Sequence, residues 1–123
     1  AGTAQQQKAC FSRLAAGEFA SFALTEPSAG SDVAALRTVA KRLDGGYQLS
    51  GSKIWISNAS LASFMVVFAK TDMAAGHKGI TAFVVERNAS GLSVGEPLGK
   101  LAFIGVVLTF SGIACMLLGR ATP

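Results

Sequence analysis

Two cysteines, one histidine, one tryptophan, one tyrosine and three prolines are all that the 123 residues hold of these types. Cys10 and Cys115 are too few and too far apart for a disulfide framework or a C-x-x-C zinc site, and they read as small apolar residues of a reducing compartment. With His77 as the single histidine, the material for a metal site or a Ser–His pair is missing, and no metal ligands are expected. Charge is scarce too, at 15% of residues, and the 11 Lys and Arg are scattered singly except for Lys41-Arg42. A nucleic-acid surface clusters such residues along a face or helix, so nucleic acid is not an expected partner. A net charge of +4 suits the anionic phosphates of a small ligand equally well. No basic stretch followed by an apolar core and a small-residue cleavage site opens the chain, so no signal peptide is read in it. It begins at Ala1 without a Met and is expected to be a fragment. Asn58-Ala59-Ser60 and Asn88-Ala89-Ser90 match the glycosylation sequon but read as chance loop sequences.

Half of the residues are hydrophobic, which excludes a disordered or fully solvated chain, and the length allows one domain with a real core. Residues 1–17 read as a helix and its exit. Thr3-Ala4-Gln5-Gln6 has capping-box spacing, Cys10, Phe11 and Leu14 recur at helical spacing, and Gly17 supplies a left-handed stop. From Phe19 to Lys100 the punctuation is that of a β domain. Phe19–Thr25 is strand-like, and Asp44-Gly45-Gly46 marks a hairpin between extended runs at Arg37–Leu43 and Tyr47–Ser57. The apolar phase slips near Gly51-Ser52, where a bulge or bend is expected. Phe64–Ala69 and Ile80–Val85 are apolar on both faces and predict central strands covered on two sides. Five or six strands in this span argue for a mainly β fold, a β-barrel or packed sheets, with a leading helix. Leu101–Leu118 carries no charge, and 14 of its 18 residues are hydrophobic. A span takes about 20 residues, and Gly105, Thr109, Ser111 and Gly112 make this run a poor one, so a membrane is not an expected partner.

Two polar loops hold the candidate chemistry. Thr25-Glu26-Pro27-Ser28-Ala29-Gly30-Ser31-Asp32 gathers hydroxyls, carboxylates and a glycine after a strand, where backbone amides can approach a flat or anionic ligand. Neither the P-loop nor the dinucleotide-binding glycine pattern is present. Trp55-Ile56-Ser57-Asn58 sets a large ring beside a hydroxyl, a pairing that can stack on an aromatic ligand and hydrogen-bond its edge. Taken alone, the first loop reads sooner as a plain surface turn, and the second at least equally as a core tryptophan with a turn after it. Glu26, Asp32 and His77 show no spacing that marks a catalytic pair.

With these loops in register, Phe22–Asp32 and Leu49–Ala59, supported by His77–Glu86 and Gly91–Val94, the chain resembles the acyl-CoA dehydrogenase family. The resemblance runs from about residue 2 to 101. It implies flavoenzymes that introduce an α,β double bond into acyl-CoA thioesters, built from a helical N-terminal domain, a middle β domain and a C-terminal four-helix domain. Residues 1–17 then correspond to the end of the N-terminal helical domain and 18–101 to the flavin-binding middle domain. The implied cofactor is FAD, held by Phe22, Ala23, Leu24 and Thr25 on one side and by Trp55, Ile56 and Ser57 on the other. Thr25 would meet the pyrimidine edge and Ser57 the N5 region, while Ser31 would contact acyl-CoA. An electron-accepting flavoprotein, a homo-oligomeric parent, and a cytoplasmic or mitochondrial matrix location come with the family.

Three departures qualify the match. Ser28 stands where glycine is usual, at a cost on the order of 1 kcal/mol if the position needs positive φ. Ser57 replaces the commoner Thr and keeps the hydroxyl. The general base, a glutamate of the C-terminal domain in the family, is not among these residues, and Glu26 and Glu86 are not expected to take its role. No catalytic residue is therefore assigned, and the chain alone is expected to be inactive. After Leu101 the resemblance is expected to stop. Residues 102–123 read as the product of a reading-frame shift, a membrane anchor or a divergent last strand. A second class of answer is a non-catalytic β module, tethered to a membrane by its apolar C-terminus.

Overall fold

Strand β4, Phe64–Lys70, organises the sheet. It lacks the alternation of a half-buried strand: Phe64, Met65, Val67, Ala69 and Lys70 are all buried, as expected of a strand covered on both faces. The computed structural model describes residues 2–97. Of two compact units, the first is Ala1–Ser93. The second is Val94–Pro123, of which residues 94–97 are described and have no regular structure. The apolar run Leu101–Leu118 and the expected domain of residues 102–123 lie outside the described residues. Among the described residues no helix is long and apolar enough to cross a membrane.

Helix α1, Ala4–Ala15, begins as its sequence dictates. The Gln6 amide donates to the Thr3 hydroxyl at 3.2 Å and the Thr3 amide to Gln6 Oε1 at 2.8 Å, closing the capping box. Ala16 caps the other end and Gly17 follows at φ +91°. The helix buries none of its residues, and Phe11 and Leu14 stay exposed. Its exit is nonetheless fixed. The Arg13 guanidinium lies 4.4 Å from the Phe64 ring centroid, a cation–π contact, and donates to both oxygens of Glu86 at 2.7 and 3.1 Å and to Glu18 at 2.9 Å. The two carboxylates raise the Arg13 pKa, and the guanidinium in turn lowers that of Glu18.

Strand β1, Ala20–Ala23, runs parallel to the first half of β4 (Ala20 opposite Phe64, Ala23 opposite Val67), and Val39 of β2, Val39–Leu43, takes over opposite Lys70. On the other side β5, Ile80–Glu86, pairs antiparallel with the whole of β4. Strand β3, Gly46–Ser50, forms a hairpin with β2 through the two-residue turn Asp44-Gly45. Gly45 sits at φ +84°, a positive φ at the second corner that glycine supplies at little steric cost, as the sequence signalled. Tyr47 of β3 meets Phe83 of β5 edge-on, ring centroids 5.1 Å apart, although the two strands are not neighbours. Phe83 is the register partner of Val67, so the hairpin bends back across that face of the sheet. The sheet remains open among the described residues and does not close into a barrel.

Three expectations are corrected. The run Tyr47–Ser57 is a strand only to Ser50, because Gly51 turns away at φ +154° and lets Thr38 pack where a side chain would stand. Ile80–Val85 is neither central nor covered on two sides: it borders only β4 among the described residues, and none of its residues is buried, with Val84 49% exposed. Ser28 has no positive φ, so the expected penalty does not arise.

Gly51 yields a test of this reading. A Cβ at that position would lie 2.7 Å from the Thr38 Cα, on backbone that side chains rarely adopt. Gly51→Ala is expected to cost about 2–3 kcal/mol in urea unfolding; a loss below about 0.5 kcal/mol, the scale of an ordinary surface substitution, would contradict it.

Candidate functional site

A carboxylate with almost no access to water sits where β1 leaves the sheet. Glu26 opens a tight turn closed by its own amide and carbonyl against Ala29, at 3.0 and 3.1 Å, with Pro27 and Ser28 at the corner. Pro27 presets the first corner residue, which suits this turn. Oε1 of Glu26 accepts from the Thr38 amide at 2.9 Å, the Thr38 hydroxyl at 2.5 Å and the Lys53 ammonium at 2.8 Å. Oε2 accepts from the Arg37 amide at 2.6 Å. Burial pushes the Glu26 carboxyl up and is the largest single influence. The Lys53 ammonium, the Thr38 hydroxyl and the Arg37 and Thr38 amides together outweigh it and hold the group at about 2.

Lys53 carries the connection onward. Its ammonium also donates to the Leu24 carbonyl at 3.0 Å. One residue further, the Ile54 amide donates to the Thr25 carbonyl at 2.9 Å, and the buried Ser21 hydroxyl reaches the Ser57 carbonyl at 2.9 Å. Thr25 therefore faces Ile54 and Ser21 faces Ser57. The segments 21–25 and 54–57 run antiparallel side by side, although some thirty residues separate them in sequence.

Each residue singled out in the sequence can now be placed. Phe22 is 61% exposed with its ring 4.8 Å from that of Phe68, Ala23 is buried at the end of β1, and Leu24 and Thr25 are half-buried. Trp55 is 67% exposed at φ +58°, and Asn58 follows at φ +60°. Positive φ at a residue as bulky as Trp is an outlier that costs about 1–3 kcal/mol and persists only where its surroundings dictate it. Ile56 is half-buried and Ser57 exposed. The Thr25 and Ser57 hydroxyls have no protein hydrogen-bond partner among the described residues. Ser31 is exposed, ahead of the 3-10 turn Val33–Ala35, where Asp32 Oδ1 accepts from the Ala34 amide at 3.0 Å. No hydrogen bond joins Ser31 to Thr25, Trp55 or Ser57 among the described residues. The fold thus brings together the two expected ring-binding segments and leaves Ser31 on a separate loop. An exposed indole, an exposed phenyl ring and two free hydroxyls suit a flat heteroaromatic ligand with polar edges.

Sequence reasoning missed the residues that hold this surface. Glu26 stands in the sequence as one of two carboxylates of a polar loop and Lys53 as a single charge in the second matching segment, and nothing in their spacing pairs them. Ser21, and Arg87, whose guanidinium donates to the Ala59 carbonyl at 3.0 Å, gave no signal. His77 lies exposed on the 3-10 turn Gly76–Gly79. No cluster of potential metal ligands exists among the described residues.

The family model for the acyl-CoA dehydrogenase middle domain matches residues 21–109. Mitochondrial isovaleryl-CoA dehydrogenase of Arabidopsis thaliana is 45% identical over 105 residues, 85% of this chain and 26% of the relative. Butyryl-CoA dehydrogenase from Megasphaera elsdenii superposes with a TM-score of 0.75 at 40% identity, covering 80% of this chain and 26% of that one. A structure of PigA with FAD and proline does so with a TM-score of 0.76 at 38% identity, over 80% and 26%. The chain spans about a quarter of the length of these relatives.

The Glu26 network has a signature in pH. Its carboxyl titrates near 2 in the fold against an ordinary 4.5, so its ionised contacts stabilise fully above pH 4.5 and are lost as pH falls from there toward 2. The contribution is on the order of 3 kcal/mol, and Glu26→Gln should flatten unfolding stability across that window. Lys53→Met strands the buried carboxylate and should cost about 3–5 kcal/mol at pH 7. Adding Glu26→Gln to it should recover part of that loss; strictly additive effects in denaturant unfolding would show that the pair is not coupled.

Proposed function

The chain belongs to the acyl-CoA dehydrogenase family, whose middle domain it supplies, and we propose that this domain binds FAD in an oxidoreductase acting on acyl-CoA thioesters. The observation that carries the reading is the side-by-side setting of 21–25 and 54–57, with the Trp55 ring exposed and the Thr25 and Ser57 hydroxyls unengaged among the described residues. FAD, when bound, supplies the hydride acceptor for α,β-dehydrogenation. Thr25 orients the ring through its hydroxyl at the pyrimidine edge. Ser57 offers a donor toward the N5 region, and such a donor makes the ring a better acceptor without itself moving a proton. Trp55 covers a ring face and excludes water, and Phe22, Ala23, Leu24 and Ile56 shape the apolar floor. Ser31 meets the acyl-CoA from its own loop.

None of the Glu residues near the site is free to act as base. Glu26 is locked in its buried network and Glu86 is paired with Arg13. The reading assigns proton removal from the substrate to a carboxylate outside these residues. In the whole protein, electrons pass on to an electron-accepting flavoprotein, and the parent is a homo-oligomer of the mitochondrial matrix or cytoplasm. The isovaleryl-CoA relative favours short, branched acyl groups as substrates.

Titration of the 123-residue chain with FAD, followed by flavin absorption and fluorescence, is expected to show weak, saturable binding. Thr25→Ala should weaken it about fivefold, the value of one hydrogen bond, and Trp55→Ala by at least as much. Affinity unchanged in both variants would remove these residues from the site. Absence of any flavin signal would favour a non-catalytic β module. Dye reduction by the chain with acyl-CoA substrates is expected to be nil, since base and hydride acceptor must act together; measurable turnover would show that a base lies within it.

A further inference from the structure

Trp55 and Asn58 are the only non-glycine residues at positive φ among the described residues, and Ser57 lies between them. A conformation unfavourable to bulky side chains persists only where the surroundings impose it. Three hydrogen bonds reach this segment from other elements. The Thr25 carbonyl takes the Ile54 amide before the turn, and Arg87 holds the Ala59 carbonyl after it. Within the turn itself the only outside partner among the described residues is Ser21, whose hydroxyl donates to the Ser57 carbonyl at 2.9 Å. Ser21 is 4% exposed and stands on β1 of the sheet, so its hydroxyl is a rigid fixture. Arg87 is exposed and acts from a flexible side chain, at the rim of the turn.

We infer that Ser21 is a positioning residue for the ring-binding surface: its hydroxyl fixes the Ser57 carbonyl and thereby the direction of both the Trp55 ring and the Ser57 hydroxyl. Without that bond the backbone between Trp55 and Asn58 relaxes toward ordinary φ, the indole leaves its outward pose and the Ser57 carbonyl loses its buried partner. A purely structural serine behaves differently. Its loss lowers global stability but leaves the local pose of Trp55 as it was. The inference rests on the FAD reading above for its consequence in binding, though not for its consequence at Trp55.

Trp55, as the sole tryptophan, reports on its own turn. Ser21→Thr and Ser21→Val are matched in shape and differ in the hydroxyl alone, so any disturbance from the added methyl is common to both. In the full chain without FAD, the threonine variant is expected to keep the tryptophan near-UV circular dichroism of the parent and the valine variant to lose most of it. With FAD added, valine should raise the Kd about fivefold over threonine. A valine variant whose near-UV signal and FAD affinity both match those of threonine overturns the inference. If the parent takes up no FAD while the near-UV signal still separates valine from threonine, positioning stands and the flavin reading is what fails. If the added methyl unfolds both variants by far-UV dichroism, Ser21→Ala against the parent decides: a lost tryptophan signal in a folded chain supports the inference, an unchanged one overturns it.

Discussion

A carboxylate taken out of water must be answered by donors, and Glu26 is answered by four: two backbone amides, a hydroxyl and an ammonium. Those donors come from two places remote in sequence, the Arg37-Thr38 entry to β2 and Lys53. Satisfying one buried charge therefore fixes three segments relative to one another. Lys53 then spends a further hydrogen bond on the Leu24 carbonyl, which draws the chain after β3 alongside the end of β1. The proposed ring-binding surface is a consequence of that constraint. Replacing the pair with apolar side chains of similar volume could keep the stability but would leave nothing to fix the direction in which segment 53–58 departs.

The same constraint explains why strained backbone is tolerable beside it. A loop attached only at its ends would relax away from positive φ at Trp55 and Asn58. This one is held before, within and after the turn, at Ile54, Ser57 and Ala59. Each bond is modest, about 1 kcal/mol, and the three together fall within the roughly 2–6 kcal/mol that two positive-φ residues demand. The outcome is an indole presented to solvent on rigid backbone, costly for folding and useful only if something flat docks on it.

Much of this was legible in the sequence, and the boundary of legibility is physical. Local signals translated directly: the Thr3–Gln6 capping box, the Gly45 turn and the two-sided apolar run of β4 each depend on neighbours a few residues away. Long-range satisfaction did not translate. That Glu26 and Lys53 meet follows from pairing two loops twenty-seven residues apart, which no periodicity encodes. Ser21 is equally silent, since a serine in a strand looks alike whether or not its hydroxyl has work to do. Tyr47–Ser57 extends too far as one run because the phase slip at Gly51-Ser52 signals a bulge or bend but not which, and the φ of Gly51 with the close approach of Thr38 ends the strand outright. In β5, composition reported apolar faces but could not report what stands against them.

The turn after β1 shows how such a reading can place the constraint on the wrong residue. Ser28 drew notice because glycine is usual at that position in the resembling family, and glycine invites the expectation of positive φ. The turn from Glu26 to Ala29 needs none: Pro27 fixes the first corner with negative φ, Ser28 does not take positive φ, and the two closing hydrogen bonds are made in full. A serine there is geometrically neutral, and the free space around it is that of an exposed corner. The residue that carries the constraint is the one before the proline. An aspartate would be a methylene too short to accept from Thr38 and Lys53 while its own backbone closes the turn, and a glutamine would lose the charge that answers the ammonium. The demand on this loop is carried by the Glu26 side chain, and its backbone merely has to deliver that side chain to the interior.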